Sequence, residues 1–317
     1  MKKEKVNLKK NKKRKRMIFL LVIVCVLTIS ASDLIMSMTC EEKVAKTRIM
    51  MEEIMSPQKK YDGIDVLAIG NSDMYSGFDP QILWDEEGIP SYVAAGPNTH
   101  LYISYCMLEG ILRTQHPQVI VLEVDEFFEK KEKYRLDQSS QIAYENCYGF
   151  FSTQGSYLNC PMIHQYRATQ SRIIKNKGYE NISATVPYYG GFSYMKESNQ
   201  RQQPNWFVKE YLSDFMALAK KYNCEVLFIC MPSASSWNYK KHNTVNDYAK
   251  KYAVPFIDFN VNQFDTDFNW LTDSRDGGNH LNRSGAKKIS SFLAQYLKDN
   301  YQLVNHKNND LYSHWQE

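Results

Sequence analysis

Three side chains in this sequence have the types and settings that nucleophilic catalysis by a serine requires. Ser72 follows a short apolar run, Asp65–Ile69, and the turn Gly70-Asn71. A glycine lets the chain leave a strand sharply, so a serine just beyond it can stand clear of the sheet. The next residue, Asp73, then turns a backbone N–H toward the same space. A serine hydroxyl is a weak nucleophile unless a base takes its proton and a carboxylate orients that base. Both groups occur near the other end of the chain, in Asp273-Ser-Arg-Asp276-Gly-Gly-Asn-His280-Leu-Asn-Arg-Ser-Gly285-Ala. Of the seven histidines, His280 lies in this polar, glycine-containing loop; His100, His116, His164, His242, His306 and His314 fall in helical patterns, in an insertion or in the tail. Histidine titrates near neutrality, which suits it to move the serine proton. Asp276, four residues before His280, is the first candidate for the carboxylate and Asp273 the second. Two plain alternatives stay open at this point. Serine and asparagine after a strand are ordinary turn formers, and a loop histidine can serve only to hold a hydrogen bond.

Such groups need a scaffold that brings residues 72 and 280 together. Five short apolar runs read as buried strands: Asp65–Ile69, Ser91–Ala95, Gln118–Val124, Glu225–Met231 and Pro255–Asp258. Between and after them, Thr99–Gln115, Trp206–Tyr222, Trp237–Tyr252 and Arg283–Tyr296 repeat apolar residues near i, i+3, i+4 and i+7, with Asn282 or Ser284 as the cap of the last helix. Strands that are apolar throughout and alternate with helices belong to a parallel sheet covered on both faces, an α/β fold of three αβα layers. Active groups of such sheets gather at the carboxyl ends of the strands, where Ser72 lies. Residues 126–204 break the rhythm, being rich in Tyr, Gln, Asn and Ser, and read as an insertion over the sheet. Within it, Tyr188-Tyr-Gly-Gly-Phe192 reads as a flap over the site or a surface turn. Trp206, Trp237 and Trp270 read as sugar-stacking rings or core.

The segments Ile69-Gly-Asn-Ser72 and Asp276-Gly-Gly-Asn-His-Leu-Asn-Arg-Ser-Gly-Ala286 together resemble the SGNH/GDSL family of serine acyl hydrolases and acyltransferases. The Asn-His-Leu-Asn form is similar to the membrane-anchored cell-surface branch that includes the D-alanyl transfer protein of lipoteichoic acid and alginate-type O-acetylation proteins. The resemblance covers Asp65 to about Tyr296 and implies a flavodoxin-like sheet. It also implies Ser72 as nucleophile, His280 as base and Asp276 as its carboxylate, with no cofactor and no metal. For the oxyanion it implies the N–H groups of Asp73 and Gly96 and the Asn98 side chain. The sequence departs from the family in two places: Asp276 precedes His280 by four residues instead of three, and the G-x-N-D block is replaced by Glu123-Val-Asp125.

Charge and hydropathy address the domain to a place. The 317-residue chain carries +4, but residues 1–16 hold ten Lys/Arg and one Glu, a net +9 that leaves −5 for the rest. A basic tail on a mildly acidic body is not the spread basic surface of a nucleic-acid-binding domain. Residues 17–38 are mostly apolar, with Asp33 their one charged residue, and as a helix would span roughly 33 Å, enough for a bilayer core. Lys and Arg before the span, against Glu41 and Glu42 after it, put the N-terminus in the cytoplasm. The other reading is a cleaved signal peptide with Ser30 and Ser32 before the cut. Either way, the domain from residue 45 to 300 lies outside the cytoplasm, followed by a polar tail, 301–317, expected to fray from Lys307 onward. Seven cysteines show no CxxC or zinc spacing; Cys147–Cys160 and Cys224–Cys230 are conceivable bridges, buried thiols the simpler reading. The tether favours a transferase that acylates a cell-surface polysaccharide or teichoic acid, supplied by a multi-pass membrane-bound O-acyltransferase. An extracytoplasmic esterase and a non-catalytic carbohydrate binder are the other expectations.

Overall fold

The computed structural model describes residues 15–18, 63–97, 99–128, 176–205, 208–261 and 266–316. The apolar span beyond residue 18, most of the basic tail, Asn98, Trp206, Cys25, Cys40, Cys147, Cys160 and the first part of the insertion lie outside the described residues. Among the described residues no helix is long and apolar enough to cross a membrane.

The elements run β1 (Val66–Gly70), α1 (Ser72–Gly77), α2 (Pro80–Glu87), β2 (Ser91–Ala95), α3 (Leu101–Ile111) and β3 (Val119–Glu123). After a 3-10 turn at Asp125–Phe128 and the insertion come α4 (Val208–Lys221), β4 (Glu225–Cys230), α5 (Tyr239–Tyr252), β5 (Phe256–Asp258) and α6 (Arg283–Asn300). All strand pairs are parallel, in the order β2-β1-β3-β4-β5. This is the flavodoxin type of doubly wound sheet, whose switch point lies between β1 and β3.

Every residue of β1, β2 and β3 is buried, because alternate side chains enter two separate cores. Leu67, Ile69, Ile120, Leu122 and Phe228 pack under α3, α4 and α5. Val66, Ala68, Val119, Val121, Leu227 and Ile229 pack under α1, α2 and α6. In α6 the buried residues Ala286, Ile289, Ser290, Leu293, Ala294 and Leu297 keep the helical period, so one stripe meets the sheet. Asn282 is its cap, accepting from the Ser284 and Gly285 N–H groups.

The structure adds two helices that periodicity did not predict. Residues read as a turn after β1 form α1. The second, α2, has only Pro80, Leu83 and Trp84 buried, too few for a periodic stripe. Its ends are nonetheless written in the sequence: Asp79 caps the Gln81 N–H at 3.0 Å, Pro80 is the first helical residue, and Gly88 closes the helix at φ 67°. The tail is also different from the expectation. Instead of fraying, Asp310–Trp315 forms a 3-10 turn, and Trp315, 1% exposed, stacks on Trp84 with ring centroids 5.3 Å apart. Trp237 and Trp270 are core residues, each 3% exposed.

Candidate active site

Ser72 is the first residue of α1, at the carboxyl end of β1. Asn71 is the helix cap, in extended backbone, and its Oδ1 accepts the Asp73 N–H at 2.9 Å. Gly70 is required by what lies across from it: a Cβ there would sit 2.5 Å from the Glu123 Cβ of β3. The chain can therefore turn tightly at the switch point only without a side chain at residue 70.

The loop before α6 brings the base to this serine. His280 Nε2 lies 2.9 Å from Ser72 Oγ, across 208 residues of chain. On the other side of the ring, His280 Nδ1 lies 2.5 Å from Asp276 Oδ2. The same carboxylate receives the His280 N–H at 2.7 Å and the Asn279 N–H at 3.2 Å through Oδ1. The extra residue between Asp276 and His280 is absorbed by Gly277 and Gly278, which stand at φ 75° and 103°, where a Cβ is strained. The loop is closed by the bridge between Ser274 and Leu281 and by Ser274 Oγ accepting the Gly278 N–H at 2.8 Å. Burial alone raises the Asp276 carboxyl, but the His280 ring and the His280 and Asn279 N–H groups together hold it below its ordinary value. An ionised Asp276 fixes Nδ1 as the protonated nitrogen and leaves Nε2 to accept the serine proton.

Asp273, the second candidate, is not the orienting carboxylate. It is fully buried, pairs with Lys288 at 2.9 Å and accepts the Asn269 N–H at 2.7 Å. Its position stabilises the base of the loop, away from the histidine ring.

Two neighbours hold the loop in place. The segment after β4 donates the Ala234 and Ser235 N–H groups to the Gly278 carbonyl. The described end of the insertion straps the other side: Val186 N–H bonds Ser274 O, Gly277 N–H bonds Val186 O, and Arg283 N–H bonds Ile182 O. A Cβ on Gly278 would meet the Tyr188 ring at 2.9 Å. Tyr188 belongs to an aromatic cluster with Phe192, Tyr194, Phe268 and Trp270. The Tyr188–Phe192 stretch is thus a turn anchored in packed rings, with Tyr189 alone standing out at 85% exposure.

Two of the three expected oxyanion donors lie among the described residues, each with a hydrogen bond of its own in this structure. The Asp73 N–H is committed to Asn71, and the Gly96 N–H bonds Gly70 O at 3.3 Å, extending the β1–β2 ladder. Asn98 lies outside the described residues. What sequence reasoning did not find is a set of acids sunk beneath the serine. Glu123 is fully buried; burial pushes it up to about 8, against hydrogen bonds from the Met231 and Asp125 N–H groups. Burial also drives the Asp73 carboxyl well above its usual range; His280 pulls it down, and Asp125, Glu123 and Asp276 push it up further. Asp125 itself pairs with Lys241 at 2.8 Å, and Glu126 accepts from Ser104 Oγ at 2.8 Å. Tyr75, one turn past Ser72, is pushed to about 12, first by burial and then by the Glu180 charge. The only signal for Tyr75 would have been the helix α1, which places i and i+3 on one side.

No family model and no curated protein matches the chain. Among solved structures, it is similar to a proposed lipolytic protein of the G-D-S-L family from Desulfitobacterium hafniense, at 12% identity and TM-score 0.41, covering 73% of this chain and 97% of that one. It is also similar to a GDSL-like lipase from Bacteroides thetaiotaomicron, at 10% identity and TM-score 0.39, covering 81% and 100%. A proposed platelet activating factor from Streptococcus pneumonia matches at 12% identity and TM-score 0.43, covering 85% and 99%. Likeness at this level carries no argument about activity, which rests on the side chains.

Proposed function

We propose that the protein is an SGNH-type serine acyl enzyme working through an acyl-Ser72 intermediate. The observation that carries this reading is the continuous hydrogen-bonded line from Asp276 through the two ring nitrogens of His280 to Ser72 Oγ. In the first step Ser72 Oγ attacks an acyl carbonyl while its proton passes to His280 Nε2. Asp276 holds the ring and stabilises the imidazolium. Collapse of the tetrahedral species expels the leaving group, protonated by His280. In the second step an acceptor hydroxyl attacks the acyl-Ser72 carbonyl as His280 takes its proton, and on collapse the bond to Ser72 Oγ breaks and His280 returns that proton to the serine.

The acceptor we favour is a cell-surface glycan or teichoic acid, with a multi-pass O-acyltransferase as acyl donor. The support is in the sequence: the basic tail and the apolar residues 17–38 would hold the domain at the outer face of a membrane, beside such a partner. One observation favours water as a second acceptor. The Asp276 side chain is 36% exposed and that of His280 16%, so solvent reaches the base.

The test is the intact mass of the full chain after exposure to a fluorophosphonate, and separately to p-nitrophenyl acetate. A single adduct on Ser72, lost in Ser72→Ala and His280→Ala, is expected; labelling that survives in Ser72→Ala would sink the reading. Incubation of the acetylated protein with a soluble cell-wall glycan then separates transfer from release of acetate.

A further inference from the structure

The loop that carries the base has little of its own to hold it. Gly277 and Gly278 stand at positive φ without side chains to lock them, and the Asp276 side chain is 36% exposed. A carboxylate open to solvent beside two glycines has several rotamers within reach. One of its bonds, however, leads out of the loop through a peptide group. Asp276 Oδ1 accepts the His280 N–H at 2.7 Å. The carbonyl of that same peptide group, on Asn279, accepts the Ser233 hydroxyl at 3.1 Å.

Ser233 lies in the segment after β4, is 1% exposed, and is fixed from two directions. Its N–H donates to Asn260 Oδ1 at 2.8 Å, and its Oγ accepts from Ser236 Oγ at 2.9 Å. Asn260, fully buried just past β5, is tied through its Nδ2 to Met231 O at 2.8 Å and to Asp258 Oδ1 at 2.9 Å. Ser236 is held in turn by Lys241, whose ammonium donates to Ser236 O at 2.6 Å and to Asp125 at 2.8 Å. Because Ser233 Oγ accepts from Ser236, its own proton is directed at Asn279. A line of hydrogen bonds therefore runs from Ser236 Oγ through Ser233 Oγ and the 279–280 peptide to Asp276 and His280, each donor polarised by the one before it.

Resting on the acyl-Ser72 reading, we propose that Ser233 is a positioning residue, which grips the carbonyl end of the 279–280 peptide and so fixes its N–H end on Asp276. It touches neither substrate nor the reacting atoms. Donation into the carbonyl makes the His280 N–H a stronger donor, so the bond that restrains the carboxylate is the one Ser233 reinforces. Without the hydroxyl the peptide is free to tilt, Asp276 can turn to solvent, and the ring loses the partner that fixes its tautomer. Ser233 belongs to neither of the two sequence segments that carry the triad, and only the folded chain brings it to them.

The experiment measures the second-order rate of fluorophosphonate labelling at Ser72 in the full chain, per folded molecule, with a urea titration of each variant alongside. Wild type, Ser233→Ala, Asp276→Asn and the double variant form a cycle, with the probe concentration raised for the two that carry Asp276→Asn. Ser233→Ala is expected to slow labelling about three- to tenfold, the worth of one hydrogen bond. In the Asp276→Asn background the same substitution is expected to change the rate by less than about twofold, because the carboxylate it serves is gone. A packing role would lower stability and leave the rate per folded molecule unchanged, and that result overturns the assignment. An equal loss in both backgrounds overturns it too, since Ser233 would then act by a route that bypasses Asp276. Should Ser233→Ala not fold, Ser233→Cys, of similar shape and with a weaker donor, takes its place under the same expectations. Absence of any Ser72 adduct in wild-type protein removes the acyl-Ser72 reading and the inference with it. Wild-type labelling that Ser233→Ala matches removes the inference alone.

Discussion

The two ends of the sheet are built from different groups, carboxyls and glycines at one and aromatic rings at the other, although the ring end too holds a sealed polar atom without a partner, Trp315 Nε1. At the carboxyl end, Glu123 and Asp73 are buried acids, two glycines stand at positive φ, and a carboxyl oxygen has no partner. At the amino end, rings are stacked and charges paired: Trp84 lies between Tyr312 and Trp315, Lys177 sits 4.2 Å from the Trp315 ring centroid, and His306 bonds Asp65 at 3.0 Å. Residues 176–178 also seal the edge of the sheet there, with Val93 N–H bonding Lys177 O and Gly178 pressed against the Val93 carbonyl. Buried apolar and aromatic contacts stabilise; buried unpaired polar groups do the reverse. The residues of the site and those of the ring clamp are thus separate sets, and each end should answer to mutation in its own readout.

The largest expected effect is at the site. Asp276→Asn keeps the shape of the loop but removes the charge that fixes the histidine tautomer, and should lower kcat by about 10⁴-fold with little change in melting temperature. The same charge also makes stability depend on pH: the Asp276 carboxyl is held below its usual range, so its stabilising contribution is complete above the ordinary carboxylate range. It is lost only as pH falls through the depressed value. Next comes Trp315→Ala at the clamp, expected to destabilise by about 3–5 kcal/mol in a denaturant titration while leaving kcat per folded molecule unchanged. A large loss of kcat in that variant would break the separation of the two ends. Gly70→Ala tests where they meet, because the added methyl collides with the stem of Glu123 inside the sheet. It should lower both stability, by about 1–3 kcal/mol, and activity. The smallest effect, counted per pH unit, is a slope. Glu123 holds its proton in the folded state up to about 8 but loses it near 4.5 when unfolded. Stability should therefore fall as pH rises between those values, by at most about 1.4 kcal/mol per pH unit, and then level off. Glu123→Gln should flatten that slope.

Much of this scaffold is legible in the residues alone, and for a physical reason. Strands buried on both faces must be apolar throughout, so Val66–Gly70 and Val119–Glu123 announce themselves within a residue of their ends. The helix α2 does not, because three buried residues in eight make no stripe, although Asp79, Pro80 and Gly88 mark its boundaries. The aromatic clamp is illegible for another reason: Trp315 sits among polar residues, and its partner Trp84 is far away in sequence. At the site, residue types pointed to Ser72, Asp276 and His280, and the structure brings these three together. No local pattern could show that Asn71 would take up the Asp73 N–H, or that Asp73 would be buried beside Glu123. Both depend on the packing of β1 against β3.

The long chain separation between Ser72 and His280 has a consequence for how the protein is made. The serine leaves the ribosome well before the histidine. At about 5–20 residues per second, the 208 residues between them take roughly 10–40 s to synthesise. Throughout that interval the nucleophile has no base. If Ser72 is the nucleophile proposed above, the nascent chain is chemically silent, and reactivity switches on only when the loop before α6 reaches the serine.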